Sequence, residues 1–306
     1  MAVAPGAGRA SPILTGAVVQ GTAHLATGRG CQDAFKAVAA GQALVLAVAD
    51  GAGSRDRSAL GAHLAVDTAC RLLAVDVPSA EDDAAAWRAW IGERAVAVVD
   101  GYLRAVRALL GAEQAEQAEQ AEQAEEAEQA EQGDRPPQEG ALAATLAAAV
   151  LRPPWVAFLS VGDCFGTVLT RTNGSQGGQG GQGGQGSDGD ERCRLALPPR
   201  TPPVFLSTPG VRERVDTLVL HEPDLSGVVL ATDGCAPLAL DHPSVHGLPA
   251  AAGPLASPRF FCSLAAELRA NGGDAEPLRA LLSGPQAARS GDDLTVLCAL
   301  LTGGAG

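Results

Sequence analysis

The order of periodic segments in this chain predicts an α+β fold, two antiparallel β-sheets with helices packed outside them. Apolar runs of strand length recur at 43–49, 156–161, 228–231 and 294–301. Helical spacing is confined to two blocks, one between the strand runs at 43–49 and 141–151 and the other before the last strand. Each of the four runs also abuts an aspartate, three at the end and one at the start.

The elements follow in order. Residues 1–12 are small and Gly/Pro-rich and read as a flexible tail. Residues 13–20 form a short apolar strand, and a turn through Gly28-Arg29-Gly30 leads to Cys31-Gln32-Asp33. The run 43–49 has no polar alternation, so it reads as a strand buried on both faces, ending on Asp50-Gly51. A hairpin between these segments would carry Asp33 toward Asp50. Ser58 is the expected N-cap of a helix over 59–74, with Leu60, Leu64 and Leu72 on its apolar face. A second helix is expected over 84–110, striped by Trp87, Ile91, Val98, Tyr102, Val106 and Leu109, with Gly92 and Gly101 as weak points.

Residues 112–132 repeat Ala-Glu-Gln with a period of three, which keeps no fixed apolar face on a helix of 3.6 residues per turn. Residues 177–186 repeat Gly-Gly-Gln and read as a loop. Both fall between sheet elements, so they read as insertions, at 112–139 and 174–190, in one domain covering 13–306. A strand is expected over 141–151, then a hairpin of 155–161 with 166–171 around Gly162-Asp163. Residues 195–206 read as edge or loop, 212–222 as a strand region, and 237–258 as a Pro/Gly-rich loop over the site. Helices near 260–270 and 277–282 precede the last strand.

Composition narrows the function classes. With 46% hydrophobic but only 3% aromatic residues, the core is built from Ala, Val and Leu. Of the net charge of −13, most sits in the eight Glu of 112–132. No basic stripe marks a nucleic-acid surface, and an acidic surface disfavours anionic membranes. No apolar run approaches the ~18 residues that span a bilayer, and the first residues lack a secretory leader pattern. The seven cysteines are odd in number and form no C-x-x-C pair, which points to reduced thiols and a cytoplasmic protein. No Cys is followed five residues later by an Arg-terminated loop, and Ser54 lies outside a G-x-S-x-G turn, so thiolate and serine-nucleophile chemistries lack their frames.

The aspartates carry the chemistry. Asp50, Asp163 and Asp233 end apolar strands, while Asp292 precedes one. In antiparallel sheets the end of one strand lies beside the start of its neighbour, so these carboxylates can share a rim. Crowded carboxylates repel unless protonated or bridged by cations, and hard oxygen ligands suit Mg²⁺ or Mn²⁺.

Asp33 after its loop, Val-Ala-Asp50-Gly51, Val-Gly162-Asp163, Ala-Thr-Asp233-Gly234 and Asp292-Asp293-Leu-Thr295 occur in the order seen in metal-dependent protein phosphatases of type 2C, and the chain resembles that family from about Gly16 to Leu301, apart from the two repeat tracts. The resemblance implies an α-β-β-α sandwich and hydrolysis of phosphoserine or phosphothreonine at a two-metal centre with Mn²⁺ or Mg²⁺. It implies that Asp50 bridges both ions, that Gly51 ligates through its carbonyl, that Asp233 and Asp292 hold one ion and Asp33 the other, and that Asp163 serves a weaker third. His24 and Arg29 are candidates for phosphate contact, His24 also for protonating the leaving alcohol. Where the family commonly has Glu-Asp this chain has Gln32-Asp33, as in a bacterial branch of the family. Gly28 stands where the phosphate-gripping Arg is expected, with Arg29 one residue later, and Pro237 replaces an acid. The implied partner is a phosphorylated protein, set against a serine/threonine kinase, with the phosphatase a monomer. The competing expectation is a catalytically weak, phosphatase-like module that binds phosphoproteins or regulates.

Overall fold

The computed structural model describes residues 11–55, 57–124, 139–171 and 191–302. The tail expectation for residues 1–10 and the Gly-Gly-Gln tract lie outside the described residues. So does the distal part of the Ala-Glu-Gln tract, from residue 125.

In chain order the first half gives β1 (Ile13–Val19), α1 (Thr22–Ala26), β2 (Ala34–Ala40), β3 (Ala43–Ala49), α2 (Ser58–Leu73), α3 (Ala84–Ala124), β4 (Leu146–Arg152) and β5 (Trp155–Val161). The second half gives β6 (Phe165–Arg171), β7 (Glu191–Leu197), β8 (Asp216–His221), β9 (Leu225–Ala231), α4 (Ala236–Ala239), the two-residue strands β10 (Leu240–Asp241) and β11 (Leu255–Ala256), α5 (Pro258–Ala270), α6 (Glu276–Leu282) and β12 (Leu294–Leu300). One sheet has the order β1-β12-β9-β6-β7 and the other β2-β3-β4-β5-β8, with every pairing antiparallel. Helices cover both, giving the α-β-β-α sandwich.

Alternation along each strand assigns its residues to layers. Leu46 and Val48 of β3 face the other sheet, where they join Phe158, Val168, Leu230 and Leu297. Val45 and Ala47 face outward onto α2 and α3, in a cluster with Trp87, Tyr102 and Leu73. The opposite sheet presents Val229, Val296 and Cys298 to Phe261, Leu264, Leu268 and Leu278 of α5 and α6. Both faces of the central strands are therefore apolar, which is why β3 shows no polar alternation.

Several expectations are corrected. The segments 155–161 and 166–171 are not a hairpin: β5 belongs to one sheet and β6 to the other. The chain crosses between sheets at Gly162, whose φ of +99° suits glycine and whose missing side chain makes room for Thr145. Ser58 does not cap α2. It is the first helical residue, and its Oγ donates to the Arg55 carbonyl at 3.0 Å. The buried face of α2 is rich in small residues, Gly61, Ala62, Ala65 and Ala69 beside Val66 and Leu73, while Leu60 is exposed. Small residues let the helix axis approach closely, and a Cβ on Gly61 would lie 2.0 Å from the Leu142 carbonyl oxygen. α3 passes unbroken through Gly92 and Gly101 into the repeat tract as far as Ala124. β4 starts only at Leu146 and β8 only at Asp216, each after a 3₁₀ turn. The expected loop 237–258 folds as α4, the β10–β11 ribbon and short turns, and its Ala256 carbonyl accepts from Cys193 Sγ on β7.

Two glycines separate backbone entropy from close packing. Gly61→Ala should destabilise the protein by about 2–3 kcal/mol in urea unfolding, because the new methyl meets backbone. Gly92→Ala, exposed with open space around it, should stabilise by about 0.5–1 kcal/mol.

Candidate metal centre

The sheet order brings the aspartates to one rim. β3 and β5 flank β4 and run the same way, so Asp50 and Asp163 emerge at the same end of their sheet. In the other sheet β9 ends beside the start of its neighbour β12, with Ala231 opposite Val296, which places Asp233 near Asp292. The crossing at Gly162 then carries Asp163 from one sheet toward the other. Asp50, Asp163 and Asp233 offer oxygens that all lie within 4.8 Å of one another.

Asp33 and Asp292 stand around this group. The β2–β3 hairpin pairs Ala34 with Ala49, so Asp33 sits beside Asp50 as expected. It is buried and accepts a hydrogen bond from Thr232 Oγ1 at 2.8 Å. Asp292 is the most open of the set, with 45% of its side chain exposed, and its Oδ1 accepts from the Asp293 N–H.

Electrostatics show the cost of the arrangement. Burial, followed by the charges of Asp33, Asp233, Asp292 and Asp163, holds Asp50 well above the ordinary carboxylate range. Burial and the neighbouring Asp233 push Asp163 up to about 7. Burial pushes Asp33 up to about 7 against the opposing hydrogen bond from Thr232, and Asp233 is raised by burial and by Asp292. Asp163 Oδ1 is buried without a hydrogen-bond partner among the described residues. Hard oxygen donors, mutual repulsion and an unpartnered carboxylate oxygen fit a divalent cation of the Mg²⁺ or Mn²⁺ kind.

The frame of the site was less visible in the sequence. Asp293 is 1% exposed and takes Gly21 N–H on Oδ1 and Gln32 N–H on Oδ2, both at 2.6 Å. His24 Nδ1 stands 2.9 Å from the same Oδ2, and its Nε2 lies 4.0 Å from Asp292. One buried carboxylate thus ties α1, the Gln32-Asp33 segment and the start of β12 together. Thr145 holds the other side: its N–H donates to the Asp50 carbonyl at 2.8 Å. The Asp292-Asp293 doublet was the available signal for Asp293, but nothing in its sequence neighbourhood names Gly21 or Gln32 as partners.

Of the remaining candidates, Gly51 donates to the Gln32 carbonyl at 3.1 Å, and a Cβ there would lie 2.6 Å from the backbone of Ser58. Arg29 is exposed and its guanidinium donates to the Gly53 carbonyl, so it braces the loop that follows Asp50. His24 approaches the same loop: a Cβ on Gly53 would lie 3.9 Å from His24 Nε2 and 3.7 Å from Gln32 Oε1.

The two antiparallel sheets meet at an acidic rim in an α-β-β-α sandwich with a metal-dependent-phosphatase-like fold. A sequence profile described as Protein phosphatase 2C matches residues 20–180, more than half of the chain, and the chain belongs to that family. Solved structures share the fold at low identity. The serine/threonine phosphatase Stp1 from Staphylococcus aureus aligns with a TM-score of 0.54 and 12% identity, over 98% of this chain and 100% of that one. Serine-threonine phosphatase 2C from Toxoplasma gondii gives 0.50 and 16%, over 96% of each chain. The catalytic domain of the phosphatase PstP, in complex with two manganese ions, gives 0.51 and 16%, over 96% of this chain and all of that one. A search of curated proteins finds no match. Among the described residues, no helix is long and apolar enough to cross a membrane.

Two measurements probe the rim and its frame. Carboxylates whose folded pKa is raised from 3.8 to about 7 stabilise the metal-free protein below about pH 4, and that contribution is lost as pH rises to about 7. Cations displace those protons, so Mn²⁺ should raise the melting temperature more at pH 8 than at pH 5.5, relative to EDTA. Asp163→Asn should shrink that difference. Asp293→Ala should cost about 3 kcal/mol in urea unfolding, since two N–H donors lose a charged acceptor, and Asp293→Asn should cost roughly half as much.

Proposed function

We propose that the chain is a metal-dependent serine/threonine protein phosphatase that hydrolyses phosphoserine and phosphothreonine with water as the nucleophile. The observation that carries this reading is the meeting of Asp50, Asp163 and Asp233, from both sheets, within 4.8 Å. In this reading Asp50, with the Gly51 carbonyl, Asp233, Asp292, Asp163 and Asp33, which Thr232 holds behind Asp50, would hold divalent cations, Mn²⁺ or Mg²⁺. The bound cations would supply Lewis acidity, lowering the pKa of a water and offsetting charge on the phosphoryl oxygens.

The chain's own groups do the rest. Arg29 holds the loop after Asp50 through the Gly53 carbonyl, fixing Gly51 against the rim. Asp293 holds the His24 ring in place from the Nδ1 side, 2.9 Å away, which leaves Nε2 as the atom that faces the substrate. Water attacks phosphorus in line and gives up a proton to solvent, and the serine or threonine oxygen leaves and takes the Nε2 proton of His24 in its doubly protonated form. The Gln32-Asp33 pair places the chain, in this reading, in the bacterial branch that carries that pair. It would act in the cytoplasm as a monomer, opposing a serine/threonine kinase.

The test is phosphate release from a phosphothreonine peptide with Mn²⁺, with Mg²⁺ and with EDTA. Turnover should require metal, and Asp50→Ala should lower it by more than about 100-fold, beyond the loss that a supporting residue typically causes. Circular dichroism should show that the variant keeps the fold. Mn²⁺ binding without release of phosphate would overturn the enzymatic reading in favour of a phosphoprotein-binding module, with Gln32→Glu as the reverting variant.

A further inference from the structure

The seven cysteines are thiols outside any disulfide among the described residues, and they are not equivalent. Cys70, Cys164, Cys235 and Cys298 are buried, and Cys31 is half-buried beside the carboxylates Asp33 and Asp293. Cys193 on β7 and Cys262 on α5 are half-exposed, and their side chains are within hydrogen-bonding reach of each other. Cys262 Sγ also donates to the Glu191 carbonyl at 3.3 Å, and Cys193 Sγ to the Ala256 carbonyl at 3.7 Å. Glu191 and Cys193 are two apart on one strand and project from the same face, the face on which Arg269 of α5 meets the Glu191 carboxylate.

The two elements are also clamped. Arg269 of α5 donates from Nη1 to Glu191 Oε2 at 2.6 Å and from Nη2 to the Ser226 carbonyl at 3.0 Å. Glu191 Oε1 accepts from Ser226 Oγ at 2.6 Å. This largely buried ion pair lies two residues along the strand from Cys193. It holds α5 against β7, the two elements that carry the sulfurs.

We infer that Cys193 and Cys262 are a modification site, a thiol pair that closes to a disulfide stapling α5 to β7 when it meets a small disulfide oxidant such as glutathione disulfide. Burial pushes the Cys193 thiol up to about 12, so it keeps its proton at neutral pH and the first attack falls to Cys262. The Cys262 thiolate attacks one sulfur of glutathione disulfide, forming a Cys262–glutathione disulfide and expelling a glutathione thiolate. Cys193 loses its proton to that base as its sulfur attacks Cys262 Sγ, and the second glutathione leaves. Two protein thiols are oxidised to one disulfide, and glutathione disulfide is reduced to two glutathiones. β7 leads into the segment where the Arg200 N–H donates to the Gly162 carbonyl at 3.4 Å, next to Asp163, so the staple grips the strand that feeds one side of the acidic rim.

The full chain, freed of reductant, is incubated with glutathione disulfide, alkylated and digested with trypsin. The expected product is the dipeptide of residues 193–194 joined to the peptide of residues 260–269, at a mass two hydrogens below their sum. The melting temperature should rise by roughly 5 °C. Cys193→Ser should trap Cys262 as a stable glutathione adduct, and Cys262→Ser should leave Cys193 free. Separate alkylation of both residues after Cys31 has reacted would overturn the inference. A lasting glutathione adduct on Cys262 in the unsubstituted protein would do the same, since it would mean that Cys193 does not reach it.

Discussion

Like-charge repulsion at the sheet rim is the constraint on which the rest of this structure turns. Two unit charges 4 Å apart at an effective dielectric of 20 repel by about 4 kcal/mol. Asp50, Asp163 and Asp233 sit at that kind of separation, with Asp33 and Asp292 close by. A flexible loop would relieve such repulsion by moving apart. Here the carboxylates are fixed to the ends of strands buried on both faces, and the apolar layers hold the strands in place. Relief must come from protons or from cations, and the raised pKa values of the metal-free protein express the first of these choices.

The alanine-rich core follows from the same demand for rigidity. Ala47, Ala147, Ala148 and Ala149 are fully buried in the central strands, Ala47 and Ala148 beneath the small-residue face of α2 and Ala147 and Ala149 against the other sheet. Small side chains bring layers close, and close layers leave strand ends little freedom to splay. The few large residues do a different task. Trp87, Trp90 and Trp155 cluster, and their indole N–H groups reach the carbonyls of Ser79, Val75 and Ala80, which fastens the irregular stretch between α2 and α3.

What could be read from the sequence had a short-range cause. The strand at 43–49 was legible because burial on both faces leaves an unbroken apolar run, and the Asp motifs because each abuts such a run. The Asp33–Asp50 juxtaposition followed from hairpin logic. The crossing at Gly162 was misread as a hairpin, since a tight Gly-Asp turn looks the same whether the next strand stays in its sheet or leaves for another. Small-residue packing hid the buried face of α2, because leucines mark an apolar stripe and alanines do not. Asp293 was legible only as half of an acidic doublet. Its partners lie more than 250 residues away in the chain, and no local pattern announces a contact at that separation.

That distant contact also bears on Gln32. Its backbone N–H is committed to Asp293, and its side-chain amide donates to the Arg55 carbonyl at 3.4 Å, which leaves Oε1 a buried acceptor without a partner among the described residues. A glutamate at this position would add a charge beside Asp33 and Asp293, where burial already pushes Asp33 up to about 7. The neutral amide keeps an oxygen acceptor at the rim without that added repulsion. Because the Arg55 carbonyl is itself fixed by Ser58 Oγ at 3.0 Å, the orientation of this acceptor is set by the first turn of α2. An amide where a carboxylate would add charge thus keeps the charge of the rim lower while the backbone frame, through Asp293 and Ser58, holds its shape.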